Sequence, residues 1–135
     1  MCFQEDRYAD AIVAAVRELG DDLILLLSGE RVASAAQRHG VRFAAEGYID
    51  LDYREDGTII LEKFKVTRDP NEMAERAVTL AKDGKVPIKS GGWLPLTVQS
   101  LCIHGDSENA ASVAKAVREG LGQAGVSVAS LSGIL

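Results

Sequence analysis

From Tyr8 onward, apolar side chains at Tyr8, Ile12, Val16 and Leu19 recur every three or four positions, and Gly20 follows. That spacing lays one stripe along an α-helix and closes it on a glycine. Five large apolar residues in a row, Leu23 to Leu27, then stand between Asp22 and Ser28-Gly29. Such a run predicts a strand covered on both faces, as in a parallel sheet. The alanine-rich "ERVASAAQRHG" predicts a short helix ending at Gly40, which returns the chain to a second apolar segment, "VRFAAEG".

The period changes in the middle of the chain. "YIDLDYREDGTIILEKFKV" alternates in the manner of strands around Asp56-Gly57, which predicts a hairpin. Asp69, Pro70 and Glu72 supply an N-cap, a proline at the first helical position and a capping-box carboxylate. Met73, Ala77, Leu80 and Ala81 form the inner stripe of the helix that follows, and Gly84 ends it. "VPIKSGGWLPLTV" reads as short strands or a loop around Gly91-Gly92, with Trp93 as a packing anchor. A strand "SLCIHG" comes next. A helix from about Ser107 to Leu121 follows, with Ala110, Val113, Ala114, Val117 and Leu121 inward, and "VSVASL" is expected as a last strand.

Strand and helix therefore alternate about a central hairpin excursion, which predicts an α/β layer or barrel. Right-handed crossovers put the C-terminal ends of its parallel strands on one rim. The 135 residues are expected to form a single domain, 1–135.

Composition narrows the function. The 20 acidic and 15 basic residues give a net charge of -5 with no basic block, which disfavours a surface that tracks nucleic-acid phosphates. A small acidic or neutral partner fits better. Cys2 and Cys102 are too few and too far apart for a disulfide framework or a metal motif, so a reducing cytoplasm is expected. The run "LILLL" is too short to span a membrane, and "MCFQEDRYAD" has neither part of a secretory leader.

Side chains at the ends of parallel strands are held rigidly yet reach a cleft, so function collects there. His104 and Asp106 fall at such an end, with Gly105 between them to allow a sharp turn. An imidazole and a carboxylate two residues apart can share a proton, bind a cation or set a base beside a substrate. Asp106 is equally readable as the N-cap of the following helix. Glu46 ends "FAAE" and Asp50 lies just beyond it, so carboxylates from this second strand end are candidates to face His104. Asp52, Glu55 and Asp56 read as a solvated hairpin face. His39, at a helix end, reads as a partner of the terminal carbonyls. Cys102 reads as a small buried hydrophobe rather than a nucleophile. Ser28-Gly29 offers a weak backbone signal for a ligand.

The succession "ADAIVAAV", "FAAEGYIDLDYREDGTIILEK", "DPNEMAERA" and "LCIHGDSENAASVAKAVREGL" resembles the C-terminal half of the LamB/YcsF family, the A subunit of the bacterial ATP-dependent 5-oxoprolinase. The resemblance runs from about Tyr8 to Val128. It implies a partial (β/α) barrel of the glycoside hydrolase/deacetylase type. It also implies an enzyme that opens the lactam of 5-oxo-L-proline to L-glutamate while hydrolysing ATP, together with subunits B and C. By position, Glu46, Asp50, His104 and Asp106 match the polar residues of the family's two C-terminal motifs.

Two departures stand out. Asp50-Leu51 replaces the family's Asp-Arg, and Ile60-Leu61-Glu62 replaces its Val-Pro-Arg. On this resemblance the N-terminal half of the family's site is expected to lie outside these 135 residues. A half barrel exposes edge strands and apolar helix faces. The expectation is therefore a truncated product, a split subunit with a separate N-terminal half, or a homo-oligomer, and no catalysis by the isolated chain. Two other readings stay open: a metal-dependent deacetylase-like hydrolase with His104 and Asp106 as ligands, and a non-catalytic assembly module.

Overall fold

The computed structural model describes residues 5–64 and 66–135. Its contacts divide the chain into two compact units, 1–46 with 130–135, and 47–129.

In the first unit, α1 (Asp6–Leu19) and α2 (Glu30–His39) pack together, and β1 (Ile24–Leu27) pairs in parallel with β2 (Arg42–Tyr48), Ile24 opposite Arg42 and Leu27 opposite Ala45. Strand, helix and parallel strand thus follow one another as the hydrophobic pattern requires. Gly40 closes α2 in the left-handed conformation at φ 65°, its N–H directed to the carbonyls of Ala36 and Gln37.

The inner face of α1 differs from the expected stripe. Ala9 and Val13 are fully buried with Val32, Ala35 and Ala36 of α2, whereas Ile12 and Leu19 are exposed. Small side chains let the two helix backbones approach closely, and polar pairs then fix the contact from outside. Asp10 receives Arg38 at 2.7 Å and His39 at 3.4 Å, and Asp6 receives Arg31 at 2.5 Å. His39 is therefore an inter-helix partner. The strand β1 is half-buried at all four positions, so within this unit it is not covered on both faces as the run of leucines suggests.

The second unit carries the larger core. The hairpin stands where Asp56-Gly57 puts it, β3 (Asp52–Tyr53) pairing antiparallel with β4 (Ile59–Ile60). Asp56 accepts from both the backbone N–H and the hydroxyl of Thr58, which locks the turn. Helix α3 (Pro70–Asp83) begins at Asp69, whose carboxylate accepts from the N–H groups of Asn71 and Glu72 at 2.8 and 3.0 Å. A second hairpin joins β5 (Lys85–Pro87) to β6 (Trp93–Pro95), and β7 (Ser100–Cys102) and α4 (Ala110–Gln123) follow.

Met73, Ala77 and Leu80 of α3 and Val113, Val117 and Leu121 of α4 join Tyr48, Ile49, Leu51, Tyr53 and Val86 in one cluster. Each large side chain fully buried there contributes about 1.5–3 kcal/mol. The inner stripes stop short of the expected Ala81 and Ala114, both exposed. The last residues of β2 belong to this unit and lie against α3. A Cβ on Gly47 would stand 2.8 Å from the Leu80 side chain and 3.1 Å from that of Val98, so any larger residue there requires the packing to shift.

Several expectations are corrected. Trp93 is 55% exposed, because the alternation of β6 turns Leu94 inward and leaves the indole outside, under the Lys85 ammonium at 4.9 Å. The segment "VSVASL" forms no strand. It runs irregularly into a short 3₁₀ turn at Leu131–Gly133. The described strands group as one three-stranded and two two-stranded sheets in a mixed α/β fold with a parallel pair.

Candidate functional site

Two strand ends of the second unit meet at one pair of side chains. Asp50 lies two residues past β2, and His104 two residues past β7. The His104 N–H donates to Asp50 Oδ2 at 2.7 Å, and its ring Nδ1 lies 2.9 Å from Oδ1. An ionised carboxylate accepts only, so it selects the tautomer of a neutral imidazole that carries its proton on Nδ1 and has its lone pair on Nε2. Asp50 is the more enclosed partner, with 12% of its side chain exposed against 33% for His104.

The loop that presents Asp50 is tied down on every side. The Tyr48 N–H donates to the phenol oxygen of Tyr53 at 2.8 Å, and the Ile49 N–H donates to the Cys102 carbonyl at 3.4 Å. The Arg76 guanidinium donates to the Leu51 carbonyl. These bonds bracket Asp50 from both sides in sequence. Burial pushes the Tyr53 phenol above its ordinary value, which keeps it neutral as a hydrogen-bonding group. Burial likewise lowers Arg76 from its ordinary value, with Asp52 opposing the shift from 3.9 Å. The Tyr48 ring stacks on the imidazole, centroids 5.9 Å apart and planes 24° from parallel, which holds the His104 ring in place.

The pair opens on a cleft whose polar walls are Asp50, His104, Asp106, Ser107, Glu62 and Arg68. Ile103, Val66 and Val113 supply apolar lining. Arg68 and Glu62 form an ion pair with 23% and 20% of their side chains exposed. Asp106 lines the same cleft and is not a helix cap, since α4 begins at Ala110 with Asn109 before it. Gly105 has an ordinary φ, and a Cβ there would meet nothing within 4 Å, so neither a turn nor a close approach demands it. Glu46, half-buried in β2, is the last residue of the first unit. Cys102 is half-buried in β7 and packs against the core. Ser28-Gly29 is the turn into α2, with Gly29 at φ 103°.

Arg68 and Arg76 escaped the sequence reading, and Glu62 entered it only as a departure from the family's Val-Pro-Arg. Arg76 sits on the inner side of α3 among apolar residues, where its charge argues for solvent. Arg68 lies between the hairpin segment and the cap of α3, where no periodicity singles it out. Among the described residues, no three His, Cys, Asp or Glu side chains stand together as a metal set. No helix is long and apolar enough to cross a membrane among them.

A parallel strand pair with helices, and an aspartate–histidine hydrogen-bonded pair just past two strand ends, define an α/β protein. The LamB/YcsF family matches the whole chain, residues 1–135. The chain belongs to that family. It is 36% identical over 130 residues to the 5-oxoprolinase A subunit of Kocuria rhizophila, covering 94% of this chain and 52% of the relative. With the subunit of the same name from Mycobacterium leprae it shares 40% over 127 residues, covering 91% and 50%. The solved structure of the lactam utilization protein from Thermus thermophilus superposes with a TM-score of 0.80 at 34% identity, over 94% of this chain and 51% of that one. The chain thus spans about half the length of the curated relatives it matches.

Proposed function

We propose that this chain is part of the A subunit of a 5-oxoprolinase and that it contributes the acid–base pair for opening the lactam of 5-oxo-L-proline to L-glutamate. The observation that carries the reading is the double hydrogen bond from His104 to Asp50 at the edge of the cleft. His104 Nε2 takes a proton from water, and the water oxygen attacks the lactam carbonyl. The protonated imidazole then returns the proton to the departing ring nitrogen. Asp50 keeps Nδ1 protonated and stabilises the imidazolium while it exists, and the Tyr48 ring limits its rotation. Asp106, exposed on the cleft wall, is assigned to orienting the water, and Glu46 to the family's polar motif on β2.

ATP is the co-substrate this reading requires, and the cleft's own side chains do not fit its triphosphate. Asp50, Glu62 and Asp106 face a single arginine that is already paired. The nucleotide is therefore assigned to other parts of an assembly with subunits B and C, and the steps drawn for this chain do not pass through it. The relatives' name, which designates one lettered subunit of an enzyme, supports such an assembly. The parallel β1–β2 pair with its crossover helix supports a (β/α) barrel of the glycoside hydrolase/deacetylase type, shared with the longer relatives, and the paucity of cysteine supports a cytoplasmic setting.

The test is 5-oxoproline-dependent ATP hydrolysis by the assembled enzyme carrying His104→Ala or Asp50→Asn. General acid–base groups contribute roughly 10²–10⁴-fold, so each variant should lose at least about a hundredfold in kcat while assembly persists. Undiminished turnover in both would sink the reading and leave an assembly module.

A further inference from the structure

We propose that Arg68 is the carboxylate-binding residue of the cleft, and that Glu62 is the resting counter-ion which a ligand displaces. The inference rests on the reading above for the identity of the ligand. The anion chemistry comes from the cleft itself.

Among the described residues Arg68 is the one cation in the permanent charge lining of the cleft, against the carboxylates of Asp50, Glu62 and Asp106. An anionic substrate entering beside three carboxylates meets repulsion unless a cation receives it. The guanidinium is suited to that task, since its planar fork offers parallel N–H donors that match the two oxygens of a carboxylate. At rest its Nη2 donates to Glu62 Oε1 in a largely enclosed pair. Removing Glu62 alone would leave a desolvated cation unpaired. Exchanging it for the carboxylate of a ligand keeps the cation paired throughout.

The two partners are anchored unequally, which decides which of them moves. Arg68 directly precedes Asp69, the cap of α3, and its carbonyl accepts from Asn109 Nδ2 at 2.6 Å just before α4. Its backbone is thereby held between two helix starts. Glu62 lies on irregular chain beyond β4, between Leu61 and Phe64, which are 78% and 76% exposed. Displacing Glu62 disturbs solvent-facing chain, whereas displacing Arg68 would disturb the packed helices. One fixed arginine suits a monocarboxylate and is too little for a triphosphate, in keeping with the charge of the remaining walls.

The experiment is a calorimetric titration of the full assembled enzyme with 5-oxo-L-proline and with 2-pyrrolidinone, the same lactam without its carboxylate. Arg68→Gln should weaken 5-oxoproline binding at least tenfold and leave pyrrolidinone binding as it was. Glu62→Gln should tighten 5-oxoproline binding severalfold, because the internal competitor has lost its charge. Equal losses for both lactams in Arg68→Gln, or weaker binding in Glu62→Gln, would mark the pair as structural and overturn the proposal. Turnover of 5-oxoproline with an unchanged KM in Arg68→Gln would overturn it while the lactam reading stands. Arg68-dependent binding of glutamate by an enzyme that never opens 5-oxoproline would do the reverse.

Discussion

His104 gives Asp50 two hydrogen bonds, one from its backbone N–H at 2.7 Å and one from its ring nitrogen at 2.9 Å. The backbone bond fixes where the histidine stands, and the ring bond fixes which nitrogen keeps the proton. Because both converge on one largely enclosed carboxylate, the two residues act as a unit. A double-mutant cycle of Asp50→Ala with His104→Ala, followed by urea unfolding, should show a coupling of about 1–3 kcal/mol. Additive single effects would mean that the pair is not formed in solution.

Gly47 is a packing position rather than a flexible one. Its would-be Cβ falls 2.8 Å from Leu80 and 3.1 Å from Val98. Gly47→Ala should therefore push the end of β2 away from α3 at a cost of about 1–3 kcal/mol. Since Asp50 lies three residues further on, the same substitution should also lower turnover. An unchanged urea midpoint would contradict the close approach.

Asp52 contributes to the acid limb of stability with a definite sign. A hydrogen bond from Lys89 at 2.7 Å, with the charges of Lys89, Arg68 and Arg76, holds its carboxyl below the ordinary value of 3.8 against the opposing effect of burial. A carboxyl lowered by folding stabilises the folded state fully above its unfolded value, and that share is lost as pH falls through the folded value. Between about pH 5 and 2 the wild-type chain should lose more stability than Asp52→Asn. Parallel acid limbs in thermal unfolding would refute the assignment.

Asp69 caps α3 through two backbone N–H groups, and it also follows Arg68. Asp69→Ala should cost about 1 kcal/mol. The measurable consequence beyond stability is looser placement of the arginine, read as weaker 5-oxoproline binding than in a variant with an equal loss of stability far from the cleft. Equal affinity in the two variants would separate the cap from the site.

Local chemistry alone determined much of this protein. Asp69-Pro70 starts α3, Asp56-Gly57 turns the first hairpin and Gly40 and Gly84 end two helices, because each depends on a few adjacent residues and their backbone preferences. The run of apolar residues ending at His104 also marked a strand end, and the family motifs marked Asp50 beside it. Tertiary structure decided the rest. Whether Ala9 and Val13 or Ile12 and Leu19 face inward depends on how closely α2 approaches α1, which no periodicity within α1 can state. Trp93 points outward because its strand neighbour Leu94 takes the core side. Asp106 became a cleft wall rather than a cap because α4 starts at Ala110 instead of Ser107. The pairing of Asp50 with His104, and of Glu62 with Arg68 in the same cleft, joins side chains separated by 54 and 6 positions. Charge pairs of this kind form where the packed backbone delivers them, and only the folded chain sets that distance.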